Sequence, residues 1–132
     1  MYLVDSGHRA IDVFDYDLGD RSIRGRRHLV ELAGEGDPDG LCVDGEGCVW
    51  LARWGGWAVE RYTPEGKLER RLPVPVAHVT KPAFGGPDLR DLYLTTARKG
   101  LGEAELSRQP HAGGVFRARP GVAGKPVPTY RG

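Results

Sequence analysis

Long apolar runs, a strong net charge and a targeting signal are all missing from this chain of 132 residues. No apolar run reaches the roughly 18 residues that suggest a membrane span. The N-terminus also lacks a basic segment followed by an apolar core, so we expect no signal peptide. The net charge of +1 provides no electrostatic footprint for nucleic acid. These absences predict a soluble protein whose partner is neither a membrane nor a nucleic acid.

Cysteine and histidine are scarce as well. The two cysteines, Cys42 and Cys48, flank one predicted hairpin loop and do not have C-x-x-C spacing. The four histidines are scattered singly, so the sequence shows no cluster of metal ligands. We expect two reduced cysteines in the core of a cytoplasmic protein.

Glycine and proline, in contrast, are abundant, with 20 and 10 residues. Such a composition suits frequent turns and argues against a helical bundle. The stretch 37–56 shows the pattern most clearly. Leu41 and Val43 alternate with polar or small neighbours, as in a half-buried strand. Residues 44–47 then form a predicted hairpin loop, and residues 49–52 form the return strand.

An internal repeat organises the whole chain. An aromatic residue followed by Leu recurs at Tyr2, Trp50 and Tyr93, at intervals of 48 and 43 residues. Periods near 40–50 residues are typical of propeller blades with four short strands each. We predict blade-like units at 1–35, 36–76 and 77–132, with a short helix in an insertion at 102–109. The first unit lacks the counterpart of the strand at 41–44, and three units are too few to close a ring.

Several blocks, in order, resemble the regucalcin and gluconolactonase (senescence-marker-protein-like) family. The blocks are Phe14 to Leu18, Pro38-Asp39-Gly40, Ala83 to Leu89, Leu92 to Arg98 and Gln109 to Phe116. The resemblance implies an all-β fold: a partial β-propeller with about three blades of six, plus the one short helix. It covers roughly the C-terminal half of a family member. Residues 1–132 are thus expected to form a single incomplete propeller domain.

The resemblance also implies a role for Asp39. In the family this carboxylate binds a divalent metal, Ca²⁺ or Zn²⁺, and acts as general acid or base on a sugar lactone. The residues alone leave a simpler alternative, in which Asp39 only stabilises a turn. The family's other protein ligands, a Glu and an Asn, would lie ahead of Met1. We therefore expect weak or absent metal binding, and no substrate-binding residue is assigned.

The leading interpretation is a truncated relative of metal-dependent lactonases, which hydrolyse an aldonolactone to the acid. Its activity is expected to be impaired. A non-catalytic propeller fragment that serves in binding or assembly is the alternative. A third interpretation is a small sugar-binding module that uses Trp54 and Trp57. Because two sets of three units make six, a homodimer that completes the ring is a further expectation.

Overall fold

The computed structural model describes residues 1–127, which form ten β-strands and one short α-helix in three antiparallel sheets. The first sheet, in the order β1-β2-β3, contains β1 (Tyr2–Asp5), β2 (Ala10–Tyr16) and β3 (Ile23–Glu31). The second, in the order β4-β5-β6-β7, contains β4 (Asp37–Val43), β5 (Val49–Trp54), β6 (Ala58–Tyr62) and β7 (Leu68–Pro73). The third, in the order β10-β9-β8, contains β8 (Val79–Gly85), β9 (Asp91–Thr96) and β10 (Val115–Ala118), and α1 (Glu103–Arg108) connects β9 to β10.

The all-β class, the blade-like sheets and the short helix are confirmed. The repeated aromatic–Leu pair lies in β1, β5 and β9, so these strands occupy the same position in successive sheets. In the second and third sheets this strand pairs with an inner strand, β4 or β8. In the part of the chain that the structure describes, the first sheet has no such inner strand, as the sequence predicted.

The central strands β5 and β6 of the second sheet are buried on both faces. Successive residues of β5 point to opposite sides, because a strand has a period of two. Val49 and Leu51 pack with Ile11 of the first sheet, whereas Trp50 packs with Val79 of the third. All five side chains are fully buried. Because both faces are buried, residues 49–52 of β5 form a continuous apolar run rather than an alternating pattern. Each such burial contributes about 1.5–3 kcal/mol.

The inner strands β4 and β8 lie side by side. A Cβ atom on Gly40 of β4 would lie 2.8 Å from the carbonyl oxygen of Thr80 in β8. Only glycine leaves room for this approach of two backbones. We call the side of the molecule formed by β4 and β8 the inner edge.

The two cysteines are free, and Cys48 is buried. Burial raises the pKa of the Cys42 thiol to about 12, although the nearby Lys81 ammonium acts in the opposite direction. A thiol with such a pKa stays protonated and is a poor nucleophile. Cys42 therefore packs as a small apolar side chain. No helix within residues 1–127 is long and apolar enough to span a membrane.

Candidate functional site

Asp39 lies in a β-bulge near the start of β4. Pro38 and Leu41 are the nearest residues paired with β5, and the two residues between them, Asp39 and Gly40, oppose a single residue of that strand. A bulge bends its strand and re-aims the local side chains, and bulges are common next to active sites. The half-buried Asp39 therefore lies at an irregular point of β4, on the inner edge of the molecule.

A second bulge lies beside the first, in β8. Val79 and Lys81 pair with successive residues of β9, so Thr80 is the extra residue. The hydroxyl oxygens of Thr80 and Thr95 are 2.6 Å apart and share a hydrogen bond. Both inner strands are thus irregular where they meet, and their bulges bring residues from two sheets into one site.

Lys81 is held against the first bulge at two points. Its side-chain stem and Cα atom occupy the space next to Gly40, where a Cβ would lie 3.2 Å from that Cα. Its Nζ atom donates a hydrogen bond of 2.8 Å to the carbonyl oxygen of Leu41. The ammonium of Lys81 is therefore fixed near Asp39, on the neighbouring strand.

The turn after β1 supports the start of β4 from the other side. Ser6 donates a hydrogen bond of 2.8 Å from its Oγ atom to the carbonyl oxygen of Pro38. Arg9 forms an ion pair with Asp37 and donates from Nη2 to the carbonyl oxygen of Gly34 at 2.8 Å. These contacts connect the first sheet to the strand that carries Asp39.

Opposing effects act on the acidity of Asp39. Burial raises the pKa of its carboxyl, whereas the hydrogen bond from the Gly40 backbone and the charge of Lys81 lower it. Burial prevails, so the pKa lies above the ordinary value for Asp. A raised pKa moves a carboxyl towards the neutral range, in which proton transfer is most effective.

The residues present do not fit a metal centre. Among residues 1–127, no group of three His, Cys, Asp or Glu side chains is placed to hold a metal ion. Calcium takes six to eight oxygen ligands, and a single carboxylate binds it weakly. The positive charge of Lys81 also lowers the pKa of Asp39, as the charge of a bound metal ion would. The described part of the chain therefore supplies one carboxylate and a competing positive charge.

The two tryptophans considered as a sugar platform have different surroundings. The ring of Trp54 stacks on His78, with centroids 4.1 Å apart and planes inclined by 11°. Trp57 is 43% exposed and has a positive φ of 55° in the turn after β5. One face of Trp54 is thus already covered, and the sugar-binding role of both residues stays a prediction.

A buried group of charged residues between β5, β6 and the segment before β4 was not predicted from the sequence. Arg53 of β5 is 1% exposed and forms an ion pair of 2.8 Å with Glu60 of β6. It also donates to the carbonyl oxygens of Ala33, Glu35 and Gly36 at 2.8–2.9 Å. These contacts join the second sheet to the segment that leads into β4.

Asp44 was expected to be a loop residue, yet it is fully buried. Its carboxylate accepts hydrogen bonds from Trp50 Nε1 at 2.9 Å and from Arg61 Nε at 2.8 Å. It also accepts one from the backbone N–H of Cys48 at 3.0 Å. The buried Asp44 carboxylate therefore stabilises the predicted hairpin loop through these hydrogen bonds.

Lys81 and Thr80 were missed too, although the repeat contains a signal for them. Leu41 pairs with Leu51, and Pro82 pairs with Leu94, which is the repeat equivalent of Leu51. Thr80 and Lys81 therefore occupy the positions in β8 that Asp39 and Gly40 occupy in β4. Aligning the inner strands through their partners would have pointed to them.

Residues 1–98 match the family model described as the SMP-30/gluconolactonase/LRE-like region. The chain belongs to this family. The match extends from β1 through β9 and includes Asp39 and Lys81.

Individual relatives agree with the family match. Regucalcin of Oryctolagus cuniculus is 43% identical over 131 residues, which are 98% of this chain and 44% of that protein. The crystal structure of a calcium-binding protein, regucalcin, from Agrobacterium tumefaciens superposes with a TM-score of 0.92 at 34% identity. It matches 98% of this chain and 45% of its own length. A gluconolactonase from Xanthomonas campestris is 28% identical, with a TM-score of 0.56, over 65% of this chain and 27% of its own. The chain thus spans less than half the length of these relatives.

Proposed function

We propose that this chain carries the proton-transferring carboxylate of a sugar-lactone hydrolase, which converts an aldonolactone to the acid. The observation that carries this proposal is the place of Asp39, in a bulge at the inner edge beside a second bulge. The gluconolactonase from Xanthomonas campestris supports the same reaction class. The two free cysteines support a reducing, cytoplasmic location for the protein.

The reaction requires a proton to move twice. The oxygen of a water molecule attacks the lactone carbonyl carbon, and the bond from that carbon to the ring oxygen breaks. Asp39 takes a proton from the attacking water and returns it to the ring oxygen, which leaves as a hydroxyl. The raised pKa of Asp39 suits both transfers, because a carboxyl closer to neutral pH is an effective acid as well as a base.

A divalent cation would polarise the lactone carbonyl in the family, but the residues described here do not form a site for one. We therefore assign no step to a metal. We also propose that the isolated chain has negligible lactonase activity, because one carboxylate provides only part of the machinery that lactone hydrolysis needs.

The second candidate function is a non-catalytic binding or assembly module. The position of Lys81 favours it, because its ammonium lies near Asp39, where a catalytic cation would be needed. In this case the fold would retain the family's architecture without its chemistry.

A chimera separates the two candidates. The segment of Oryctolagus cuniculus regucalcin that matches this chain is replaced by residues 1–132, and turnover of glucono-1,5-lactone is measured with Ca²⁺ or Zn²⁺. We expect turnover in the chimera, none above background in the isolated chain, and a loss of about 100-fold or more in the Asp39→Asn chimera.

The matched control is Asp15→Asn, which removes an exposed carboxylate of β2 that pairs with Arg27. The control chimera should keep its activity. A folded but inactive chimera would support the non-catalytic module instead. Activity that survives Asp39→Asn would refute the assigned role of Asp39. Turnover by the isolated chain that disappears in Asp39→Ala would refute its predicted inactivity.

A further inference from the structure

The ammonium of Lys81 is the best-defined positive charge at the inner edge. The stem of the side chain lies against Gly40, in space that any other residue at that position would fill. The Nζ atom is held at 2.8 Å by the carbonyl oxygen of Leu41. Because stem and head are both anchored on β4, the charge stays near the strand that carries Asp39.

The surroundings of Lys81 contain a further cation. Lys81 lines a groove of about 340 Å³ along the inner edge, together with Leu41, Phe84 and Lys125. The described residues of that lining include two lysines and no acidic side chain. Asp39 lies at the adjoining bulge, next to Gly40, against which the side chain of Lys81 packs. The local charge therefore favours an anionic or neutral ligand over a cation.

We propose that Lys81 is a specificity-determining residue that disfavours a divalent cation beside Asp39. The fixed ammonium places a positive charge where a bound metal would place one, so this stretch of the inner edge binds Ca²⁺ more weakly than it would without Lys81. The proposal concerns ion selectivity and does not depend on lactone hydrolysis.

The size of the effect follows from Coulomb's law. Removing one unit charge at several ångströms from a divalent ion, in a largely aqueous environment, changes its affinity by about three- to tenfold. The effect should also shrink as the salt concentration rises, because exposed charges are screened.

The test is a Ca²⁺ titration of the full chain, in which binding is monitored through the NMR chemical shifts of the Gly40 and Leu41 amides. The variants are Lys81→Gln, which removes the charge, and Lys81→Arg, which keeps it. Lys67→Gln, in the exposed turn before β7, removes a charge far from the inner edge and controls for net charge. We expect Lys81→Gln to bind Ca²⁺ about three- to tenfold more tightly than the wild type, and the other two variants to match the wild type.

A double variant, Asp39→Asn with Lys81→Gln, should lose the gain. The proposal is overturned if Lys81→Gln binds no more tightly than the wild type, or if binding is undetectable in it. It is also overturned if Lys67→Gln gives the same increase, or if the gain survives the loss of Asp39. Should Lys81→Gln fail to fold, a Ca²⁺ affinity that is the same in Lys81→Arg and in Lys81→Met would equally overturn it.

Discussion

The second sheet keeps charged side chains in its interior, whereas the first sheet leaves most of its charged side chains in solvent. Arg53 and Glu60 form an ion pair in which the two side chains are 1% and 4% exposed. In the first sheet, the side chains of Arg24 and Arg27 are 72% and 55% exposed, and they form ion pairs with Asp20 and Asp15. The second sheet lies between two others, so its polar groups find protein partners instead of water.

One pair of repeat positions makes the difference plain. Glu60 in β6 and Asp12 in β2 are 48 residues apart, at equivalent positions of the repeat, and both are buried. Glu60 is bound by the exposed Arg71 of β7 and also by the buried Arg53 of β5. Asp12 is bound from the exposed strand β3, by Arg26 and His28. The same position thus holds a buried acid in both sheets, but β5 adds a buried arginine, whereas its repeat equivalent in β1 is the exposed Asp5.

The largest expected effect is self-association of the isolated chain through the first and third sheets, which lie on either side of the second. The first sheet exposes Leu3 and the third exposes Val115, with exposed fractions of 47% and 66%. Burial of such side chains is worth about 1.5–3 kcal/mol each, so we propose that two copies associate through the end sheets. Sedimentation at tens of micromolar should show a dimer.

The double variant Leu3→Glu with Val115→Glu should shift this equilibrium towards monomer. Leu18→Glu, at the exposed hairpin tip between β2 and β3, is the matched control and should leave it unchanged. A stable, non-aggregating wild-type monomer would contradict the proposal.

Next in size is the loss of the buried ion pair in the second sheet. Arg53→Ala leaves Glu60 without its buried partner and three carbonyl oxygens without a donor. Breaking a buried pair in this way costs about 3–5 kcal/mol of the free energy of unfolding. Chemical denaturation measures the change.

Asp5→Ala provides the control for Arg53→Ala, because Asp5 is the repeat equivalent in the first sheet and is exposed. It should change the free energy of unfolding by less than about 0.5 kcal/mol. Equal losses in the two variants would show that the sheets do not differ as described.

A smaller loss is expected from Gly40→Ala in the inner strand β4, which has no counterpart in the first sheet within residues 1–127. The added methyl group would lie 2.8 Å from the carbonyl oxygen of Thr80 and against Lys81, so β4 and β8 must separate. Overpacking of this kind costs about 1–3 kcal/mol, measured by thermal or chemical unfolding. Gly102→Ala is the control, because its new Cβ would lie 3.7 Å from Glu105 Oε2, an ordinary contact. Its loss should be only a few tenths of the loss in Gly40→Ala. If Gly40→Ala is neutral, the two inner strands are not packed as closely as described.

The smallest effect concerns Asp12 and pH. Burial acts to raise the pKa of Asp12, but hydrogen bonds from His28 and Arg26 and their charges outweigh it, so the pKa lies below the ordinary value. Asp12 therefore stabilises the fold above that ordinary value, and the stabilisation is lost as the pH falls through the lowered pKa. Asp12→Asn should cost about 1–2 kcal/mol at neutral pH and flatten the acid limb of the stability curve.

Unfolding measured between neutral and acidic pH checks this prediction. Asp15→Asn, in the same strand, should keep the acid limb. An Asp12→Asn protein whose stability falls with acid as steeply as the wild type would refute the role of Asp12.

The sequence predicted the parts of this fold that depend on near neighbours. The hairpin around residues 44–47 follows from turn residues between apolar strands, and β5 follows from the apolar run at 49–52. The equivalence of Tyr2, Trp50 and Tyr93 revealed the repeat, and the repeat predicted that the first unit has no counterpart of the strand at 41–44. The Asp39 turn was recognised by family resemblance rather than by any local feature that marks it as a site.

Tertiary structure decided which distant side chains meet. Lys81 is 42 residues from Asp39, and only the packing of β8 against β4 brings its charge to that bulge. The bulges themselves depend on the register between strands, which the order of apolar and polar residues does not specify. Arg53 has no local signal for burial, because its partners come from β6 and from the segment before β4. Local sequence sets strands and turns through backbone preferences, whereas the energy of a buried charge depends on which groups the fold places around it.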